Sequence, residues 1–291
     1  MHRAGSPEPV SGVLYLVGTP IGHLGDLSPR ARALLEQVDT IACEDTRRTA
    51  QLLQAVGIGR RPARRLLSFH HHNRQERLPQ LLAVLAADDP LVLVSDAGLP
   101  GISDPGEELA AAARRAGHSV VCVPGPCALT TALVSSGLPA GRFCFEGFLP
   151  PRRSERLRHL ASLREEQRTL IVYAAPHRLP EVLEDLIQEL GDRPAQVSRE
   201  LTKRHEEQVG PTLSAALQHF RNHPPLGEFT LVVGGAMPAA ESWSDDRLLQ
   251  ALNAAMAGGA SPSQAAREVA RSSGQPRRHL YSLLHPSDPP E

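Results

Sequence analysis

Short apolar runs alternate with amphipathic stretches through the first half of the chain, and this alternation limits the possible folds more than any other feature. The apolar runs lie at residues 13–18, 40–44, 65–70, 90–95 and 119–123. They are apolar throughout rather than at every second position, as expected for parallel strands that helices cover on both faces. The sequence therefore predicts an α/β fold built on a parallel sheet.

Helices are expected in the stretches between these runs. The first covers Pro29–Gln37, and the second covers residues 46–57, where Gly57 supplies the residue type that commonly ends a helix. A third is expected over residues 74–88. We expect an interruption near Pro79, because proline has no N–H to donate inside a helix.

A second α/β domain is predicted in the other half of the chain. A turn and helix over 124–139 and a strand over 142–148 lead out of the first domain, and a basic segment marks a boundary near residue 150. Further elements are expected as strands at 169–175, 196–201 and 228–235 and a helix over 180–190. The predicted domains are an N-terminal one over 13–148 and a C-terminal one over 149–237.

The two ends of the chain are predicted to lie outside these domains. Residues 1–12 lack the apolar core of a signal peptide and are expected to form a disordered tail. Residues 238–291 predict a linker and a small helical segment of three short helices. No apolar run approaches the roughly 20 residues of a membrane span, so no membrane partner is expected.

Composition narrows the choice of partners and metals. The chain has 31 basic and 32 acidic residues, so its overall charge gives no reason to expect a nucleic-acid partner. Its four cysteines show neither a CxxC pair nor the spacing of a zinc site, as expected in a reducing cytoplasm. His70 and His72 share one face of an extended segment, but no third ligand is evident, so no metal is predicted.

The segment VSDAGLPGISDPG, residues 94–106, is longer than a chain reversal needs. From Asp104 onward it has the residue order that begins a helix, an N-cap acceptor followed by proline. Its first part lies at the carboxyl end of a strand, where open α/β sheets bind ligands. We expect Gly98 and Gly101 to leave backbone amides uncovered beside the Asp96 carboxylate. That combination favours an uncharged or cationic ligand over a phosphate, and the alternative is a long, inert loop.

Four similar segments follow the other apolar runs. They are VGTPIGHLGDLS (17–28), CEDTRRT (43–49), HHHN (70–73) and PGPCA (124–128). The first lacks the GxGxxG spacing of dinucleotide folds, which argues against a nicotinamide cofactor. Five consecutive strand ends rich in glycine, proline or charge predict a composite site at one edge of the sheet.

Taken together, these segments resemble the ribosomal RNA small subunit methyltransferase I family of the tetrapyrrole methylase superfamily, the class III methyltransferases. The resemblance runs from about Leu14 to Gly235 and rests on the motifs LYLVGTPIGHLGDLSPRA, ACEDTRRT, VSDAGLPGISDPG, VPGPCALTTAL, GLPAGRFCFEGFLP, PHRL and SRELTKRHEE. It implies two α/β domains with the cofactor cleft between them, S-adenosylmethionine as the cofactor and a cytoplasmic homodimer. It also implies 2′-O-methylation of the cytidine at position 1402 of 16S rRNA in the small ribosomal subunit.

Predicted cofactor contacts come from both domains. The polar and cationic parts of S-adenosylmethionine suit the strand-end loops of the first domain, and the resemblance places adenine against backbone of the second. These residues are Pro20, Gly22, Asp96, Ala97, Gly98, Ser103, Asp104, Tyr173, Ala174 and Gly227. For Asp104, a role as helix N-cap alone is an equal alternative.

Four positions depart from the usual pattern of the family. His23 stands in place of asparagine, Leu99 of threonine, Ala174 of glutamate and Gly234 of an acidic residue. The last two bear on substrate orientation and turnover. They leave open the alternative that the chain is a ribosome-assembly factor, which binds RNA and cofactor without catalysis. The other alternative is a methylase of a tetrapyrrole intermediate.

Methyl transfer to a ribose hydroxyl requires that the attacking oxygen lose its proton. Positioning should supply most of the acceleration, and a general base adds roughly 10²–10⁴-fold. The candidate bases or orienting groups are Glu44, Asp45, Glu200 and Lys203. Lys203 qualifies if burial lowers its pKa and is otherwise a phosphate contact, while Glu200 has an ion pair with a neighbouring arginine or lysine as its alternative.

Substrate contacts are expected at several polar strand ends and basic clusters. The predicted substrate-binding residues are Arg47, His70, His72, Asn73, His177 and Arg178, with helix capping as the alternative for the last two. Three basic clusters are candidates for RNA contact: Arg60, Arg61, Arg64 and Arg65; Arg152, Arg153, Arg156 and Arg158; and Arg277 with Arg278. The alternative for each cluster is a solvated surface. Stacking on bases should be minor, because aromatic residues make up only 3% of the chain.

Overall fold

A computed structural model of the chain describes residues 9–237 and 243–284. The described chain separates into two compact units, with the division after residue 236. The first unit holds two five-stranded sheets with their helices, and the second holds three helices. The α/β fold expected from the sequence is confirmed.

The first sheet is parallel, as predicted, with the strand order β3-β2-β4-β1-β5. Its strands are β1 (Leu14–Val17), β2 (Thr40–Cys43), β3 (Arg65–Ser68), β4 (Leu91–Val94) and β5 (Val120–Val123). Every residue of β2 and β4 is buried, because these apolar strands lie inside the sheet and helices cover both faces. All five carboxyl ends therefore meet at one edge.

Four helices cover the first sheet, two on each face. They are α1 (Pro29–Gln37), α2 (Thr46–Ala55), α3 (Arg74–Ala86) and α4 (Gly106–Arg115). Tyr15 of β1 packs in one core with residues of α1 and α2, and the adjacent Leu14 packs in another with residues of α3 and α4. Successive side chains of a strand point to opposite faces, so this division places α1 and α2 on one side of the sheet.

The expected interruption of α3 at Pro79 does not occur, because the helix continues through it. An internal proline costs about 3 kcal/mol through one lost hydrogen bond and ring crowding. Leu81 and Leu85, in the next turns, are almost fully buried. Each contributes about 1.5–3 kcal/mol of burial, which offsets the proline.

The second sheet is mixed, with the order β6-β7-β10-β8-β9. Its strands are β6 (Phe143–Phe148), β7 (Thr169–Ala174), β8 (Ala195–Arg199), β9 (Glu207–Val209) and β10 (Phe229–Val233). Only β6 and β7 pair in parallel, and the other pairs are antiparallel.

The strand β6 belongs to the second sheet, although it lies on the N-terminal side of the predicted boundary at residue 148. It was assigned to the first domain, but it pairs with β7 from Phe143 opposite Thr169 to Phe148 opposite Tyr173. The chain passes from the first sheet to the second after α5 (Ala128–Ser135), which itself packs with Ile171 and Val232 of the second sheet. A strand's own sequence does not reveal which sheet supplies its hydrogen-bond partner.

Three helices pack on the second sheet around a leucine-rich core: α6 (Arg153–Ser162), α7 (Leu179–Leu190) and α8 (Leu213–Asn222). Only α7 was expected. The buried face of α6 is not recognisable from its sequence, because it includes Arg156. Both Arg156 and Leu160 are fully buried on that face. The short strand β9 and α8 were likewise not predicted.

The second unit consists of α9 (Asp245–Ala257), α10 (Pro262–Ser273) and α11 (Arg277–Leu284), as the sequence predicted. Leu248, Leu252, Val269 and Leu280 form the centre of its small core. Residues 1–8 of the predicted tail and 238–242 of the predicted linker lie outside the described residues. Within the described ranges, no helix is both long and apolar enough to span a membrane.

Candidate cofactor and substrate site

A pocket of about 410 Å³ lies where the carboxyl ends of the first sheet face the second sheet. This volume is within the usual range for small-molecule sites, roughly 300–1,000 Å³. The first sheet contributes loops after β1, β2 and β4 and the start of α5, and the second contributes the ends of β6 and β7 and the start of β10. Four of the five predicted strand-end segments thus line one pocket, and the HHHN segment does not.

Most of the predicted cofactor residues line this pocket. They are Asp96, Ala97, Gly98, Ser103, Asp104, Tyr173, Ala174 and Gly227. Pro20 and Gly22 do not line it, and Ile21 between them does. Pro20 is buried, and a side chain at Gly22 would meet Lys203 and Thr202 instead.

Two glycines of the 94–106 loop are required by backbone conformation. Gly98 has φ +87° and Gly101 has φ +91°, a region that other residues adopt only with strain. The amide of Gly98 donates to Thr19 O at 3.1 Å, and the amide of Gly101 donates to Asp104 Oδ1 at 2.7 Å. The expectation that these amides are uncovered for a ligand is therefore wrong.

The main chains of two other loops touch beside this site. An added Cβ at Gly18, after β1, would lie 2.7 Å from Cα of Gly125, after β5. An added Cβ at Gly125 would lie 2.8 Å from Cα of Gly18. These loops approach more closely than any side chain allows.

Asp96 joins two of the loops that form the pocket. Its Oδ1 accepts a hydrogen bond from the Asp45 amide at 3.0 Å, and its Oδ2 pairs with Arg48 Nη1 at 3.2 Å. The carboxylate thus fixes the segment after β2 against the loop after β4. Ligand contact by Asp96, which also lines the pocket, stays a prediction.

Asp104 folds the 94–106 loop onto the start of α4. Its Oδ1 accepts from the amides of Gly101 and Gly106, both at 2.7 Å. The N-cap position itself is Pro105, one residue later than predicted, since the bond to Gly101 holds Asp104 within the loop. Burial raises the pKa of Asp104, and its Oδ2 is buried without a partner among the described residues. An unpaired buried acceptor on a pocket wall points to a ligand donor.

Glu44 and Asp45 are adjacent but have different environments. Glu44 lines the pocket, and its pKa is raised first by loss of solvent and then by the carboxylates of Asp96 and Asp104. Asp45 is the N-cap of α2 and accepts from the amides of Arg47 and Arg48, which lower its pKa. Asp45 lies outside the pocket lining, and its carboxylate caps α2.

Lys203 lies in an ion-pair cluster at the pocket rim. Its Nζ is 2.9 Å from Glu200 Oε1 and 3.2 Å from Oε2 of Glu228, which lines the pocket. Burial lowers the pKa of Lys203, but the two carboxylates outweigh it and raise the pKa. Burial raises the pKa of Glu200, and Lys203 with the Glu228 amide brings it below its usual value. The lowered pKa that Lys203 would need as a base is therefore not found. Glu200 forms the ion pair that was the alternative to its role as a base.

The HHHN segment follows β3 outside the pocket lining. Asn73 uses its amide internally, accepting from His70 N at 2.9 Å and donating to Ser68 O at 3.1 Å. The rings of His70 and His72 meet edge to face with centroids 6.0 Å apart. His71, which the sequence did not single out, is the histidine whose charge acts on Glu44 and on Asp104.

His177 and Arg178 lie in the short turn before α7. Arg178 donates to Pro150 O at 2.9 Å, and His177 is exposed. Neither lines the pocket. Arg178 thus anchors the turn after β6, and RNA contact by His177 stays a prediction.

Two of the departures from the usual pattern have local explanations. His23 Nδ1 accepts from the Gly25 amide at 3.1 Å and so caps the turn after β1. Leu99 lines the pocket and packs near Ile21 in an apolar cluster. Within residues 9–237 and 243–284, no cluster of three or more histidine, cysteine or acidic side chains could hold a metal ion.

The chain matches two protein-family models. Residues 13–217 match the tetrapyrrole (corrin/porphyrin) methylases. Residues 241–285 match the RsmI C-terminal HTH domain. The second match gives the three C-terminal helices a more specific identity than the small appendage expected from the sequence.

Solved structures with a similar fold include two methyltransferases. The methyltransferase CobJ has a TM-score of 0.59 at 21% identity, covering 78% of this chain and 95% of that one. Uroporphyrin-III C-methyltransferase from Thermus thermophilus, complexed with S-adenosylhomocysteine, has a TM-score of 0.51 at 22% identity, covering 76% and 96%. At these identities the likeness shows the fold.

Relatives named ribosomal RNA small subunit methyltransferase I match at much higher identity. The protein from Synechocystis sp. is 49% identical over 94% of this chain and 97% of its own length. That from Halalkalibacterium halodurans is 40% identical over 94% and 95%. That from Thermotoga maritima is 45% identical over 77% of this chain and 99% of its own length. The chain therefore belongs to the tetrapyrrole methylase family and, within it, to the ribosomal RNA small subunit methyltransferase I proteins.

Proposed function

We propose that this chain transfers a methyl group from S-adenosylmethionine to the ribose 2′-oxygen of a cytidine, position 1402, in 16S rRNA of the small ribosomal subunit. The observation that carries the proposal is 49% identity, over nearly the whole of both chains, to a protein named for small-subunit rRNA methylation. The pocket supports it, because most of the predicted cofactor residues and one candidate base line the same cavity. The proposed setting is cytoplasmic, with the chain as a homodimer.

The pocket has the groups that S-adenosylmethionine requires. When bound, the cofactor supplies an electrophilic methyl group on a sulfonium. The unpaired Oδ2 of Asp104 is an acceptor for its amine or hydroxyl groups. Cys127, the N-cap of α5, provides no side-chain acceptor to that helix, and an amide at a helix start suits a carboxylate. Apolar contact for the adenine is available at Ile102, Phe148 and Ala174.

Glu44 is the proposed base for the 2′-hydroxyl proton. Of the four candidates named from the sequence, it is the one in the pocket lining. Its raised pKa brings proton affinity closer to neutral pH, where a general base is most effective. Asp96 and Arg48 hold the segment that carries it.

Replacement of the carboxyl tests this role. We expect Glu44→Gln to lower kcat by roughly 10²–10⁴-fold while the Kd for S-adenosylmethionine stays the same. In the native protein the base is active only when deprotonated, so kcat should rise with pH through the raised pKa of Glu44. That rise should be absent in the variant, and an unchanged pH profile would remove Glu44 from the reaction.

The whole proposal is tested by transfer of a labelled methyl group. Acceptors are unmethylated small ribosomal subunits, naked 16S rRNA and uroporphyrinogen, tested in parallel. Primer extension at low nucleotide concentration stops at 2′-O-methyl groups and locates the product. A single stop at the proposed cytidine is the expected result.

The same assay separates the two alternatives. Transfer to uroporphyrinogen alone would identify a tetrapyrrole methylase. Cofactor binding without transfer to any acceptor would favour an assembly factor and would make Ala174 and Gly234 the first positions to restore to acidic residues.

A further inference from the structure

A second groove, of about 1,050 Å³, lies along α2 and the segment that follows it. Its polar lining comes from Arg47, Gln51, Gln54, Arg60, Arg61 and Arg64, and it includes no carboxylate. We propose that this groove binds the phosphate backbone of single-stranded substrate RNA beside the nucleotide that enters the cofactor pocket. The inference rests on the proposed function and adds to it where the RNA lies.

The helix α2 presents one polar face to the groove. Arg47, Gln51 and Gln54 are four and three residues apart, which places them on the same side of a helix. All three are exposed, whereas Thr49 and Leu53 are buried against the sheet. This face carries hydrogen-bond donors along about 10 Å, since Arg47 and Gln54 are seven helical residues apart.

Two arginines form the opposite wall and are held by backbone carbonyls. Arg61 Nη1 donates to Glu36 O and Gln37 O, both at 2.7 Å, and Arg64 Nη2 donates to Leu35 O at 2.8 Å. Asp39 Oδ1 also pairs with Arg61 Nη2 at 3.2 Å, which offsets part of the Arg61 charge. Neutral carbonyls fix a guanidinium without cancelling its charge, so Arg64, whose hydrogen bonds go to carbonyls, keeps this wall positive.

Other observations indicate an excess of positive charge in the groove. Burial and the Arg61 charge lower the pKa of Arg64, and Arg64 Nε is buried without a partner among the described residues. Within those residues, the side chains of Arg47 and Arg60 form neither a hydrogen bond nor an ion pair. An anion in the groove would pair with the exposed Arg47 and Arg60 side chains.

The groove and the cofactor pocket are lined by adjacent residues of α2. Arg48 lines the pocket and the adjacent Arg47 lines the groove, both in the first turn of the helix. A strand whose nucleotide enters the pocket can therefore continue directly along α2. The lining contains no aromatic side chain, so the contact should be with phosphates rather than with stacked bases.

Salt dependence of RNA binding tests the groove. The variant is Arg47→Gln/Arg60→Gln, and Arg114→Gln/Arg115→Gln on α4 is the control, because it removes the same charge on the opposite face of the sheet. Each phosphate contact contributes about 0.7 to the slope of log affinity against log salt for single strands. We expect the slope to fall by about 1.4 in the groove variant and to be unchanged in the control.

The probes are a fluorescent single-stranded RNA spanning the methylation site, measured by anisotropy, and small ribosomal subunits, measured by KM. At 0.1 M salt, the loss of two phosphate contacts, each contributing about 0.7 to the slope, should weaken RNA binding roughly 25-fold. The Kd for S-adenosylmethionine and the melting temperature should stay the same, since neither arginine lines the cofactor pocket.

Three results would overturn the inference. They are an unchanged slope in the groove variant, equal loss in both double variants, and a change of oligomeric state in sedimentation, which would make the groove an interface between copies of this chain. A native protein that neither binds nor methylates small-subunit RNA would instead refute the proposed function.

Discussion

Two arginine-rich segments of this chain look alike in sequence and have different surroundings. RRPARR, residues 60–65, and RRSERLR, residues 152–158, were both candidates for RNA contact. The first borders an open groove. In the second, Arg156 is fully buried, with Nε 2.7 Å from Oδ2 of Asp185, whose side chain is 1% exposed.

The partners of each segment explain the difference. Arg156 is neutralised by Asp185 and also donates to the carbonyls of Pro150 and Pro151 at 3.2 Å, so it holds the turn after β6 onto α7. Arg64 donates to backbone carbonyls, which leave its charge available, whereas Arg61 donates to two carbonyls and also pairs with Asp39 at 3.2 Å. An arginine cluster therefore indicates an anion site where most of its partners within the protein are uncharged.

The largest expected effect comes from Arg156→Met. This change leaves Asp185 buried with only the exposed Arg153 as a cation, and breaking a buried pair costs about 3–5 kcal/mol. Urea denaturation followed by circular dichroism measures the free energy of unfolding. The double variant Arg156→Met/Asp185→Leu should recover much of the loss. A single variant within about 1 kcal/mol of the native protein would contradict the buried ion pair.

A smaller effect is expected from Arg61→Met. It removes two hydrogen bonds to the carbonyls that end α1, the ion pair with Asp39 and a favourable charge at the negative end of that helix. The free energy of unfolding should fall by about 1 kcal/mol. Arg61→Lys is the matched control, because it keeps the charge and should lose less. Equal losses would assign the effect to guanidinium geometry alone.

The smallest effects on stability are expected from Arg60→Gln and Arg158→Gln. Both side chains are exposed, so each change should alter the free energy of unfolding by no more than about 0.5 kcal/mol. Their effects on RNA should differ. Only Arg60→Gln should reduce the salt slope of binding, by about 0.7. If Arg158→Gln reduces it equally, the comparison between the two segments does not hold.

The sequence predicted the first sheet well because its strands are apolar throughout and its helices have clear boundaries. It did not place β6 in the second sheet, because pairing with β7 is a long-range contact that the strand's own residues do not encode. It expected an interruption at Pro79, since the burial of Leu81 and Leu85 that outweighs the proline is a tertiary effect.

In the candidate site, too, local motifs were predictable from the sequence and long-range contacts were not. Motifs located the loops, and most of the predicted cofactor residues line one pocket. The internal partners were not predictable, since the Asp96–Arg48 and Arg156–Asp185 contacts join residues 48 and 29 positions apart. His71 was missed because the resemblance pointed to its neighbours His70, His72 and Asn73. Its electrostatic effect on Glu44 and Asp104 depends on how the loop folds.

The contact between Gly18 and Gly125 limits which substitutions selection can accept. Each position lacks room for a side chain because the other position's main chain occupies the space. A compensating change at the partner cannot relieve the clash, since no residue is smaller than glycine. In a library selected for methyl transfer, these two sites should therefore remain invariant even when the acceptor preference is allowed to drift. Adaptation to a new acceptor should instead change side chains that line the cofactor pocket, such as Leu99 and Ala174.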